Sequence, residues 1–244
     1  MAQGKSFFID TTRCTACRGC QIACKNWNRN GVSPTRNTGS HQNPPDLDGN
    51  TFKLVRFSEV LNDGKLAWYF FADQCRHCLD PPCKDAIEGY VDGAVLHDPA
   101  TGAVVYTSKT REVPLEEVRD ACPYNIPRAT AEGRLVKCTM CIDRVSNGLL
   151  PACVKVCPSG AMNFGERKAM LELAEQRLQQ VRGKHPGAQL INAEEVRVIY
   201  LVEADPKLYY KFAMASAARG IDRKVALRRM LKPAAGLWHG RWNG

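Results

Sequence analysis

The chain has 244 residues with 44% hydrophobic and 24% charged content, enough to bury a core in one or two domains and too apolar for a disordered chain. No apolar run approaches the ~20 residues a membrane-spanning helix needs. The formal charge of +9 counts twelve cysteines as neutral; bound to clusters of charge about −2 each, they bring the balance to about +3, which weakens a nucleic-acid-binding reading and leaves it a rival that predicts steeply salt-dependent DNA affinity.

Met1 to Asp10 lacks a charged region followed by an apolar one, so no signal peptide is expected. In chain order, Phe7 to Ile9 predicts a short strand leading into the first cysteine run, and residues 28–50, rich in Asn, Gly, Ser and Pro, read as a loop. Phe52 to Phe57 and Leu66 to Phe71 are strand candidates joined through Asn62, Asp63 and Gly64. Ala94 to His97 and Ala103 to Tyr106 predict a second hairpin. Glu166 to Arg182 has helical periodicity, with Met170, Leu171, Leu173, Leu178 and Val181 apolar and Gly183 as a stop. A strand over Val196 to Val202 follows. From Pro206 the tail is basic, with Arg219, Arg223, Lys224, Arg228 and Arg229 against the single acid Asp222, and reads as a solvated face.

Six disulfides are not expected of a chain without a secretion signal, so the thiols are read as metal ligands. Cys14, Cys17, Cys20 and Cys24 form C-x2-C-x2-C-x3-C, the bacterial ferredoxin run, whose fourth cysteine ligates the neighbouring cluster. Cys138, Cys141, Cys153 and Cys157, followed by Pro158, stretch the same pattern. Crossed ligation then predicts one [4Fe–4S] cluster, A, on Cys14, Cys17, Cys20 and Cys157, and another, B, on Cys24, Cys138, Cys141 and Cys153. Cys75, Cys78, Cys83 and Cys122 remain as cluster C. The ferredoxin spacing lacks cysteines at Ile87, Glu112, Leu115 and Val118, four positions that crossed ligation assigns to one cluster. The chain thus reads as a four-cluster design that has lost one cluster cleanly. Zinc ribbons also use C-x2-C pairs but require neither triple runs nor a Cys-Pro after the last ligand. His77 could ligate iron, but full cysteine sets leave it a hydrogen-bonding role. Trp27 and Trp68 read as packing residues. No Ser–His–Asp, Walker or Rossmann arrangement is present, so no catalytic site is expected.

The runs Cys14 to Trp27, Cys75 to Cys83, Cys122 to Pro127, Lys137 to Arg144 and Cys157 to Gly165 resemble the beta subunits of molybdenum- or tungsten-containing formate dehydrogenases. Val198 to Tyr209 resembles them more loosely. The wider group also serves nitrate, polysulfide and sulfoxide reductases and hydrogenases. The resemblance implies a heterodimer with a large catalytic subunit carrying a Mo or W bis-pterin cofactor, and electron transfer to a diffusible acceptor such as a cytochrome c. It also implies a periplasmic location by export together with that subunit, the alternative being the cytoplasm. Membrane-bound members continue into a transmembrane helix after a Lys-Pro resembling Lys232-Pro233; none is expected here. The fold expected is α+β: two ferredoxin-like [4Fe–4S] modules within 1–165, one (about 72–130) inserted in the other, and a helical and extended C-terminal appendage, 166–244, wrapping the partner.

Overall fold

The computed structural model describes residues 3–62 and 64–215. The architecture is α+β. Strand β1 (Lys5–Asp10) enters helix α1 (Gly19–Trp27), and after the long loop β2 (Leu54–Asn62) pairs antiparallel with β3 (Lys65–Asp73). Then follow α2 (Pro82–Glu88), the hairpin β4 (Val95–His97) and β5 (Val104–Tyr106), α3 (Leu115–Ala121), and the short pair β6 (Arg128–Ala129) and β7 (Leu135–Val136). Two one-turn helices, α4 (Ile142–Val145) and α5 (Ala152–Lys155), precede β8 (Met162–Glu166) and the long helix α6 (Arg167–Arg182). The described chain closes with β9 (Gln189–Ile191), β10 (Val198–Val202) and α7 (Pro206–Tyr209).

A four-stranded sheet of order β8-β1-β10-β9 organises the molecule. Its central pair is parallel, Phe7 beside Val198 and Ile9 beside Tyr200, joining residues some 190 positions apart. Because side chains alternate across a strand, β1 and β10 are apolar on both faces. Phe7, Ile9, Val198, Tyr200 and Val202 pack with Cys20, Cys153 and Met140 on one side. Phe8, Ile199 and Leu201 pack with Ala174, Leu178 and Val181 of α6 on the other. Cys20, Cys153 and Cys157 lie on the first face, and α6 seals the second.

Residues 166–215 therefore belong to the body of the molecule, packed on their own chain. The rest of the expected appendage, 216–244, including Lys232-Pro233 and most of the basic run, lies outside the described residues. Both predicted hairpins form. Helix α6 begins at Arg167, because Glu166 still pairs with Lys5 in the sheet. It ends at Gly183, whose φ of −59° is ordinary right-handed backbone; the stop there does not use glycine's freedom. Strand β10 starts two residues later than expected because Val196 and Arg197 are otherwise engaged. Val196 bridges Cys78, and the Arg197 N–H donates to the Arg76 and His77 carbonyls, so both clamp the Cys75–Cys78 loop. Among the described residues no helix is long and apolar enough to cross a membrane.

Candidate cluster-binding sites

All twelve cysteines are free thiols. In the C-x2-C loop that opens each of the three cysteine runs, the residue before the second cysteine is left-handed: Ala16 (φ 53°), His77 (φ 47°) and Met140 (φ 61°). A side-chain-bearing residue rarely adopts this conformation, at a cost of roughly 1–2 kcal/mol. It turns the backbone N–H two residues on back toward the first sulfur. His77 N donates to Cys75 Sγ and Met140 N to Cys138 Sγ, each at 3.4 Å, and the Ala16 N–H does the same for Cys14. Inward-pointing amides of this kind favour an anionic group.

Cys14, Cys17, Cys20 and Cys157, brought from the two ends of the chain's cysteine pattern, line one space with Ile9, Val55, Ala72 and Met162. Cys75, Cys78, Cys83 and Cys122 line another. Cys24 has Cys138, Cys153 and Cys141 as its charge neighbours, in a fully buried nest. The three quartets expected from spacing are thus brought together by the fold. They fit an anionic, thiolate-ligated group, with all-sulfur donors and N–H groups aimed at the sulfurs. Burial drives the thiols up, Cys122, Cys138 and Cys153 each to about 12 and Cys141 to about 11. Positive metal is needed to ionise them.

The quartets adjoin in a row. Cys20 of the first and Cys153 of the second both act on Lys53. Cys138 of the second has Cys75 of the third as its foremost charge neighbour.

Three buried cations, which the sequence reading did not single out, stand among them. Lys53 is only 2% exposed; its ammonium donates to the Gln74 side-chain oxygen and to the Ala72 carbonyl. Burial alone would favour loss of its proton, but the sulfurs of Cys153 and Cys20, then Tyr200 and Cys138, outweigh this and hold it above the usual lysine range. Arg76 pairs with Asp73, lies against the rings of Phe71, Tyr124 and Tyr200 and lines the space of the third quartet, and its Nε and Nη2 have no hydrogen-bond partner. Lys137 donates to the Val104 carbonyl and lies 4.6 Å from the Tyr106 ring centre. No local pattern marks them, because a lone cation beside a strand reads as surface until the tertiary fold covers it.

His77 is not left to bind iron through Nδ1, which accepts the Val104 N–H at 3.0 Å. Burial, with Lys137 and Arg197 nearby, holds the ring neutral. Trp27 packs over Arg144 at 4.1 Å and donates to Asp143 Oδ2 at 2.9 Å, tying α1 to α4. Trp68 is half exposed on β3, beside Phe70 and His41.

At the positions without cysteine, Ile87 and Val118 are fully buried together with Ala86, Ala94, Val95, Val113 and Leu135, and Leu115 packs on them. Glu112 stands exposed at the end of a short 3-10 turn. The apolar cluster they form touches the third quartet through Cys83.

A family model described as a 4Fe-4S dicluster domain matches residues 66–167. Formate dehydrogenase subunit beta of Megalodesulfovibrio gigas is 52% identical over 213 residues, 86% of this chain and 99% of that protein. Formate dehydrogenase 2 subunit beta (cytochrome c-553) of Nitratidesulfovibrio vulgaris is 51% identical over 214 residues, 86% and 98% of the two chains. The nitrate-inducible formate dehydrogenase iron-sulfur subunit of Escherichia coli K12 is 40% identical over 235 residues, 93% of this chain and 78% of that one.

The chain belongs to the formate dehydrogenase beta-subunit family. As a beta subunit of this family it is an iron–sulfur, electron-transfer part of an oxidoreductase complex, and the catalytic site belongs to another subunit.

Proposed function

We propose that the chain carries three [4Fe–4S] clusters, A on Cys14, Cys17, Cys20 and Cys157, B on Cys24, Cys138, Cys141 and Cys153, and C on Cys75, Cys78, Cys83 and Cys122. They connect a formate-oxidising or CO2-reducing subunit, with a Mo or W bis-pterin cofactor, to an external acceptor. The observation that carries this reading is the same cradle built three times: a left-handed residue, an amide aimed at sulfur, and a fourth thiol supplied from a distant segment. Bound clusters supply one-electron relays whose potentials the surroundings set. Formate oxidation releases CO2, one proton and two electrons. The electrons leave singly, so the acceptor is reduced in two one-electron steps. The chain's part is to keep the relays adjacent, exclude water from them, and place N–H groups and cations against their sulfurs.

The order A, B, C follows from the adjacency of Cys20 to Cys153 and of Cys138 to Cys75. The lost fourth site, now filled by Ile87, Leu115 and Val118, adjoins C, which makes C the exit. The N. vulgaris relative's name supports a c-type cytochrome as the acceptor, and with it a periplasmic location reached by export with the catalytic partner. In this reading the 72–130 region is a second ferredoxin-like module inserted in the first.

Co-purification with the catalytic subunit, assay of iron and acid-labile sulfide, and formate-dependent reduction of dye and cytochrome test the proposal. About twelve irons in this chain are expected from three four-iron clusters. Zinc without sulfide, or eight irons or fewer in an active complex, overturns it.

A further inference from the structure

We propose that Lys53 is a positioning residue that serves clusters A and B together: its buried ammonium is their shared positive charge and raises both reduction potentials, leaving C nearly untouched. The inference rests on the three-cluster reading above.

The geometry singles this residue out. Lys53 stands just before β2, at the seam between two cores. Its neighbour Leu54 packs with Cys75 and Cys138. Its hydrogen-bond acceptor Ala72 packs with Cys20 and Cys153. Both acceptors of its Nζ, the Gln74 side chain and the Ala72 carbonyl, are uncharged. The other buried cations are answered differently. Arg56 and Arg76 share the Asp73 carboxylate, and Lys137 lies against Cys83 of the third quartet.

An ammonium taken out of water costs several kcal/mol unless opposite charge compensates it. At Lys53 that charge comes from Cys153, Cys20 and Cys138. An ammonium has three N–H donors. Two are taken by the neutral acceptors, which anchor the side chain and leave its charge unanswered by any carboxylate. Adding an electron to either cluster adds negative charge, so a fixed cation beside both favours their reduced forms. A cation shared between adjacent relays also favours an electron on either one, which smooths the step between them. Cluster C has Arg76 and Lys137 close to it and depends least on Lys53.

The test uses the whole complex with Lys53→Met, Lys53→Gln and Lys53→Arg, each assayed for iron and sulfide and then titrated electrochemically with EPR detection. Expected are lower midpoint potentials for two of the three clusters in the neutral variants, no shift of the third, and recovery in Lys53→Arg. Three unchanged potentials, or three moving alike, overturn the proposal. Loss of iron from both neutral variants but not from Lys53→Arg supports it, since the charge is then required for loading. Loss from all three variants assigns Lys53 to packing and overturns it. A wild-type complex with fewer than three clusters in this chain defeats the preceding reading, whereas unshifted potentials in a fully loaded variant defeat the role of Lys53 alone.

Discussion

Asp73 is fully buried and receives Arg56 Nε at 2.8 Å and Arg76 Nη1 at 3.1 Å. Arg56 also reaches Asp46 and stacks 3.6 Å from the centre of the Tyr210 ring. Asp46 in turn accepts from Arg128. Burial works against charge on Asp46, but the Arg56 hydrogen bond and the charges of Arg128 and Arg56 hold its carboxyl below the usual range. This network joins the loop before β2, the end of β3 and the segment after Cys122, so it holds the third quartet's loops in register. Removing the one carboxylate between two guanidinium groups leaves both short of compensation. Asp73→Ala is expected to destabilise the chain by about 3–5 kcal/mol, read as a lower midpoint of thermal unfolding of the complex, with early loss of cluster signal. An unchanged midpoint would show that Asp46 alone suffices.

At the scale of elements, α2 and α3 show what replaces a cluster. Each is a seven-residue helix, too short to persist alone in water, and each presents an apolar side chain, Ile87 or Val118, where a ligand would stand. Both side chains are fully buried. A cubane is rigid and anionic and brings its own bonds; branched aliphatic side chains fill the volume by dispersion and water exclusion instead. Ile87→Ala is expected to cost about 2–5 kcal/mol through the cavity it leaves, with the iron content unchanged. A fall in iron without a fall in stability would show that this region still holds metal. The two faces of β10 make a second case. Its five residues are all buried, so the strand must lie between the cysteine side and α6.

Over the whole molecule, the proposed A, B, C order makes the middle quartet the link on which transfer depends. Cys141→Ala opens the second quartet while leaving the first and third intact. The expectation is loss of about a third of the chain's iron and of formate-dependent cytochrome reduction, with reduction of small dyes by the catalytic subunit retained. Cytochrome reduction at the normal rate in that variant would sink the linear order. The fold makes such a path compact by passing β1 and β10 side by side through the centre and setting Cys20, Cys153 and Cys157 on one face of the resulting sheet.

The iron–sulfur character of the chain was legible in its sequence, because iron–sulfur ligation is written in short, rigid cysteine spacings, and the same spacings led to the proposed quartets. It also determined the hairpins and α6, whose turns and 3.6-residue periodicity are local. The tertiary structure was needed to show that β1 and β10 pair across nearly the whole chain, that β10 and the inner face of α6 belong to the core, and that Ile87, Leu115 and Val118 meet while Glu112 does not. The short helices α2 to α5 gain their stability from packing, which leaves little periodicity to read. Lys53 and Arg76 were invisible for the same reason: the meaning of a cation depends on what surrounds it, and that environment is assembled from segments distant in the chain.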